Sequence, residues 1–459
     1  MRSVGFFPSL ADSDIWMRRN DNIYEYVAVY YIDDLAIAMI HPKELTDTLS
    51  RTYSLQLKDV GTMKYHLGCD FFRDPDGTLG FGPLKYIDKM MGNYEKFFND
   101  APREYSSPLE KNDHPELDIT ELLDAEGIKK YQSMIGELQW AVSLGRFDIL
   151  TAVMTMSQYR VAPRTGHLLR LKRMYGYLQR FKNGVIRVRT DKPDHSHLPD
   201  IEHDWAYSVY GDVEELIPQN MPEPLGKSVL LSHYKDANLY HNLVTGRAVT
   251  GVLHLINQMP IDWYSKAQST VEVATYGSEF VAARIAVDQI VDIRLTLRYL
   301  GVPIDGKSYL FGDNESVWKN ASLPHSSLKK RHNALSYHRV REAIAAKIVG
   351  FFKIDGTQNP SDVLTKHLGY ISAWPLLKPL LFWRGDTATI KSDKVRTKEE
   401  CKDVDTEGRI VVSPTYSVGP HRSSTIQVDS YGTVPRNVLQ PNVSCAARSH
   451  ANAYKQKQL

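Results

Sequence analysis

The chain has 459 residues, 42% of them hydrophobic and 10% aromatic, which is enough for two or three domains with apolar cores. The formal net charge is only +2, so bulk charge does not mark a nucleic-acid binder and any such surface must be local. Cys69, Cys401 and Cys445 lie far apart without metal-ligand spacing, which argues against a disulfide framework and for a reducing, cytoplasmic setting. The first residues (MRSVGFFPSLADSD) lack a basic region followed by an apolar run, so no secretory signal is read there. The longest apolar stretch, residues 24–40, is broken by Asp33 and Asp34, and no membrane span or membrane partner is expected.

Residues 1–20 read like the middle of a domain. Residues 24–40 (YEYVAVYYIDDLAIAMI) are β-branched and aromatic on both sides of Asp33-Asp34, the pattern of strand, tight turn and strand. A helix is predicted over 43–58, two short strands around the turn sequence at 74–77 within 64–82, and a helix over 84–98. Residues 99–128, with Pro102, Pro108 and Pro115, read as a linker. Residues 129–183 are helical by spacing, broken at 157–163, and carry Arg170, Lys172 and Arg173 as candidates for tracking phosphates. Residues 184–226, rich in Asp, Pro and His, form a second boundary.

Strands then fit 228–236, 249–257 and 260–265. A helix fits 272–300, with Val273, Tyr276, Phe280, Ala283, Val287, Ile290 and Leu297 on one face and Gly301 as its stop. A strand follows at 308–313, helices at 314–320 and 333–346, and a strand at 348–354. A last helix is predicted from Pro360, capped by Asn359. This order describes a mixed α/β sheet with helices packed on it, preceded by an α+β region. From about residue 385 the chain is polar and aperiodic, and 385–459 is expected to be a disordered tail.

Four acids stand in distinct contexts within this plan: Asp236 and Asp313 at strand ends, Glu279 early in the long helix, and Asp362 after Asn359-Pro360. One such acid alone reads as solvated charge. A set converging from separate elements is how a pair of Mg²⁺ (or Mn²⁺) ions, roughly 4 Å apart, is held for phosphodiester cleavage. A basic group, Lys329, Lys330 and Arg331 with Arg339 and Arg341, is a candidate for nucleic-acid binding beside it. His338 is a weaker candidate for assisting product release.

Residues 233–238 (HYKDAN), 261–266 (IDWYSK), 275–282 (TYGSEFVA), 311–317 (FGDNESV), 337–342 (YHRVRE) and 359–366 (NPSDVLTK) together resemble the ribonuclease H domain of copia-type LTR retrotransposon Pol polyproteins. The resemblance implies a ribonuclease H-like domain over 227–370 that cleaves the RNA strand of RNA–DNA hybrids. Its metal-binding acids would be Asp236, Glu279, Asp313 and Asp362. Residues 5–19, 31–34 (YIDD), 57–68 and 85–87 resemble the reverse transcriptase palm and thumb of the same family, placed over 1–100. Residues 131–182 resemble the helices that follow, within a linker and connection at 101–226. Asp33 and Asp34 would be the palm's metal-binding pair.

Two departures stand out. Where the family often carries a second acid two residues after Asp236, this chain has Asn238. Only 32 residues precede Asp33, and Asp12, Asp14 and Asp21 are in the wrong context for the further palm aspartate. The expectation is therefore an N-terminally truncated Pol fragment without independent polymerase activity, working with the rest of the polyprotein in the cytoplasm, a virus-like particle or the nucleus. The alternative is a catalytically dead nucleic-acid-binding remnant.

Overall fold

The computed structural model of the chain describes residues 1–30, 34–53, 57, 61–199, 202–328 and 330–385. The predicted tail, apart from Gly385, and Asp33 and Lys329 lie outside them.

The N-terminal part is an antiparallel sheet of β1 (Phe7–Pro8), β2 (Ile15–Asn20), β3 (Ile23–Tyr30) and β4 (Asp34–Ala38), in that order. Helix α1 (Pro42–Tyr53) covers it, packing Leu45 and Leu49 against Val27 and Ile37. A second antiparallel sheet contains β5 (Tyr65–His66), β6 (Cys69–Arg73), β7 (Leu79–Gly82) and, from beyond the helical region, β8 (Ile186–Arg187). Between them run α2 (Leu84–Phe98), α3 (Ala125–Ser143), α4 (Leu150–Met156) and α5 (Thr165–Arg180). The helix predicted over 84–98 has those bounds because Pro83 precedes it and Asn99 closes it in the left-handed region (φ 52°).

The segment read as a linker is fastened rather than loose. Arg170 binds Asp113 and Asp118, Arg173 binds Glu110 and the Ser107 hydroxyl, and Lys172 lies 3.7 Å from the Phe98 ring centroid. These three cations therefore hold their own chain, which corrects their reading as phosphate contacts. Farther on, Glu215 pins the second boundary segment to the long helix through paired hydrogen bonds from Arg294 and Arg298.

The third sheet is built from β9 (Leu231–Asn238), β10 (Val249–Ile256), β11 (Met259–Ala267), β12 (Ser308–Gly312) and β13 (Val349–Lys353). Its order is β11-β10-β9-β12-β13, with the first three antiparallel and β9, β12 and β13 parallel. Helices α6 (Thr275–Tyr299), α7 (Glu315–Ser322) and α8 (Ala334–Ala345) bury Phe280, Ala283, Val287, Ile290, Val317 and Val340 with Val252 and Leu310 of the sheet. Val273, expected on that stripe, precedes α6 and is 72% exposed.

A second apolar cluster joins Leu231, Leu253 and Ile261 to Met134, Leu138, Phe147, Val153 and Leu178 of the preceding helices and to α9 (Tyr370–Leu381). The sheet is thus buried on both faces, and the core runs across the boundary read near residue 226. Leu300 and Gly301, at the end of α6, contact the N-terminal sheet: the Tyr26 hydroxyl donates to the Leu300 carbonyl at 2.7 Å, and Gly301 (φ 68°) leaves room for the Tyr24 ring.

The helix predicted from Pro360 is instead a 3-10 turn, Pro360–Leu364. Pro360 and the Asn359 cap fit either form, but Thr365 leaves the helical region (φ −130°) and its side chain turns to the sheet.

Candidate active site

Phe311 of β12 pairs in parallel with Tyr234 of β9, so Asp313 and Asp236, each two residues on, emerge at the same end of adjacent strands. Glu279 lies in the second turn of α6, which packs across β9. Ligand oxygens of Asp236, Glu279 and Asp313 lie within 4.8 Å of one another, with Asp236 and Glu279 buried and Asp313 half-buried. An oxygen-only donor set of this kind suits a hard divalent cation.

Asp362 is not one of these three but stands beside them. Lys366 bridges the gap: its Nζ lies 2.8 Å from Asp362 Oδ1 and 3.3 Å from Asp236 Oδ2. The turn carrying Asp362 is stitched to β9 at both ends. Asn359 Nδ2 donates to the Lys235 carbonyl at 3.0 Å, and Asn238 Nδ2 donates to the Thr365 carbonyl at 3.1 Å. The Thr365 hydroxyl donates to Asp236. Asn238 thus supplies a donor that an aspartate could not. Thr151 of α4 donates to the Val363 carbonyl at 2.8 Å and holds the turn from behind.

Sequence reasoning missed Lys235 and Lys366. Lys366 follows Asp362 by four residues, a spacing that invites an ion pair, and Lys235 is a charge placed in an otherwise buried strand. Neighbours on one strand project to opposite faces. Asp236 meets Thr365 and Lys366, whereas Lys235 turns to α6, where its Nζ lies 2.5 Å from Glu279 Oε2. Burial pushes the Glu279 carboxyl up to about 7; Lys235 opposes this, and Asp236 and Asp313 add to it. Burial, then repulsion from Asp236, pushes Asp362 up to about 6 against the pull of Lys366.

The other predicted residues are not gathered here. Asp34 is exposed at the start of β4 and belongs to no group of three metal-ligating side chains among the described residues. Lys330 is half-buried and Arg331 exposed. Arg339 is paired with Asp288 and Glu342. Arg341 requires correction as a nucleic-acid contact. It is 2% exposed, donates to the carbonyls of Asn320, Leu323 and Pro324, and is covered by Trp205 and Tyr337. Its work is to shape the loop after α7. His338 Nδ1 lies 2.8 Å from the Tyr210 hydroxyl.

No family model matches the chain. Among curated proteins it is 24% identical over 370 residues to the retrovirus-related Pol polyprotein from transposon RE1 of Arabidopsis thaliana, covering 80% of this chain and 22% of that protein. It is 22% identical over 379 residues to the corresponding polyprotein from transposon TNT 1-94 of Nicotiana tabacum, covering 80% and 25%. A transposon Ty5-1 protein of Saccharomyces cerevisiae is 24% identical over 297 residues, covering 63% and 82%. Solved structures that match include the N-terminal ribonuclease H domain of a Mycobacterium tuberculosis protein (11% identity, 33% of this chain and 98% of that one, TM-score 0.24). Another is ribonuclease H1 of Halobacterium salinarum (14%, 32% and 97%, TM-score 0.24). The chain spans about a fifth to a quarter of the length of the plant polyproteins it matches. It is related to the Pol polyproteins of transposons.

Proposed function

We propose that the chain is a ribonuclease H-type endonuclease, part of a longer Pol polyprotein, that cleaves the RNA strand of RNA–DNA hybrids with two Mg²⁺ (or Mn²⁺) ions. The observation that carries this is the convergence of Asp236, Glu279 and Asp313 at one end of a mixed sheet, in a chain related to Pol polyproteins.

Asp236 is the central group, between Glu279 and Asp313 on one side and Asp362 on the other; these four acids would hold the ions. Such ions, when bound, activate a water and stabilise the departing oxygen. The side chains of Asn359, Asn238, Thr365 and Thr151 fix the turn that carries Asp362 before any ion binds. Lys366 keeps Asp236 and Asp362 together, offsetting their repulsion. Exposed Arg331, in the 3-10 turn before α8, and half-buried Lys330 next to it remain as candidates for a backbone phosphate from the predicted basic group.

One observation favours a second reading, a catalytically dead nucleic-acid-binding remnant: Glu279 already has a cation partner in Lys235. Incubating the full-length chain with an end-labelled hybrid and Mg²⁺ separates the two. Cleavage that disappears in Asp313→Asn, with the fold retained, is the expected result. Hybrid retention without Mg²⁺-dependent cleavage by the folded protein would select the remnant. The helical region belongs in the experiment because its core is continuous with that of the sheet.

A further inference from the structure

The two lysines at the acid cluster are built differently. Lys366 has a side chain one-third exposed, so it can withdraw into solvent when an ion takes its place between Asp236 and Asp362. Lys235 has no such route. Its side chain is fully buried under α6, on the central strand of the sheet. The Phe351 ring centroid lies 5.5 Å from its Nζ. The wall beside it is Gly312, where an added Cβ would lie 2.4 Å from Lys235 Cε. Its own carbonyl is held by Asn359. Glu279 is therefore paired with a lysine that has no path to solvent, in a setting where charge–charge interactions are strong.

Resting on the two-ion reading above, we infer that Lys235 makes the two ion positions unequal: the ion at Glu279 binds against a fixed internal cation and is the weaker, and the Asp362 side fills first. Glu279 Oε2 is engaged by Lys235, so this acid meets an ion already partly neutralised. At the Asp362 side the competing ammonium is displaceable and costs little once solvated.

The test uses Mn²⁺ as the probe, counted by electron paramagnetic resonance of the free ion as it is titrated into the full-length chain. Two classes of site are expected, at least about tenfold apart in Kd. Glu279→Gln should remove the weaker class and leave the tighter one. Lys235→Met, and Lys235→Gln as a polar substitute should the first not fold, should bring the weaker class to within about threefold of the tighter one. Two equal classes in the unmodified chain, or a gap that survives in a folded Lys235 variant, would overturn the ordering alone. Absence of saturable Mn²⁺ binding in the unmodified protein would overturn the ion-site reading beneath it.

Discussion

Asn359 holds no ion in the proposed site, yet its replacement by alanine should disable it. The side chain is fully buried and makes three hydrogen bonds: Nδ2 to the Lys235 carbonyl at 3.0 Å, and Oδ1 from the Ser361 amide at 3.2 Å and hydroxyl at 2.6 Å. Loss of the cap costs about 1 kcal/mol. The Lys235 carbonyl loses a partner in a buried setting, a penalty of about 1–3 kcal/mol. The sum, about 2–4 kcal/mol, is large beside a typical domain stability of about 5–15 kcal/mol but leaves the chain folded. The turn then loses one of its ties to β9, and Asp362 moves relative to Asp236. A displacement of about 1 Å at such a centre can cost on the order of a hundredfold in rate. The assay is urea unfolding together with hybrid cleavage at a temperature where the variant is folded. Asp124→Ala serves as comparison, because Asp124 caps remote α3 through the Gly127 amide at 2.7 Å and should cost only about 1 kcal/mol, with activity unchanged. A folded Asn359→Ala protein that cleaves at the unmodified rate, or is no less stable than Asp124→Ala, would refute the reasoning.

Arg146 and Asp148 are both fully buried and joined by two hydrogen bonds, with the Tyr177 hydroxyl donating to the same carboxylate; Arg146→Ala should therefore cost about 3–5 kcal/mol, read as a fall in urea midpoint. Burial opposes but hydrogen bonds from Arg294 and Arg298 hold Glu215 down at about 2, so its contribution is complete above its ordinary value of 4.5 and is lost as pH falls through about 2. Glu215→Gln should flatten that acid limb in a pH series of unfolding midpoints. Glu279 and Asp362 have the opposite sign: raised from 4.5 to about 7 and from 3.8 to about 6, they favour folding fully below their ordinary values, and stability in EDTA should decline as pH rises from those values through about 6 and about 7. Mg²⁺ should restore stability on this alkaline side, and a midpoint above pH 7 indifferent to Mg²⁺ would count against the ion site. Burial keeps His254 near 4 and His233 well below the ordinary 6.5, so both contribute stability above 6.5 that is lost as pH falls through their folded values, with or without Mg²⁺.

The order of elements in the third sheet was legible because each signals itself locally. Strands β9 to β11 are short apolar runs, and α6 repeats its apolar residues at helical spacing through Phe280, Ala283, Val287 and Ile290. Asp313 does follow the end of β12 as read, whereas β9 runs on to Asn238, past the end read at Asp236; parallel pairing of β9 with β12 brings the two acids side by side. The turn at Asp362 was misread because Pro at the first position and Asn as cap open a 3-10 turn as well as a helix. What extends or ends it is Thr365 reaching Asp236, across 129 positions in sequence. Arg170 and Arg341 failed for a related reason. An arginine on a helix looks the same in sequence whether it faces phosphate, a distant aspartate or a ring of loop carbonyls, and here the partners decide.

The same long-range dependence explains why the acid cluster is not the property of its sheet alone. Asp236, Glu279 and Asp313 are positioned by strand pairing and by α6, all within residues 231–313. Asp362 is positioned differently, because a five-residue 3-10 turn has too few internal hydrogen bonds to hold its own orientation. It borrows rigidity from β9 through Asn238 and Asn359, and from α4 through Thr151. Helix α4 is in turn set by the apolar cluster that Phe147 and Val153 share with Leu253 and Ile261 of the sheet, with Phe147 and Trp263 ring centroids 5.3 Å apart. The helices preceding the sheet therefore act on the fourth acid through a single short turn. Loosening that helical core should affect the Asp362 side of the site before the side held by Glu279, whose position is fixed by α6 and by the buried Lys235.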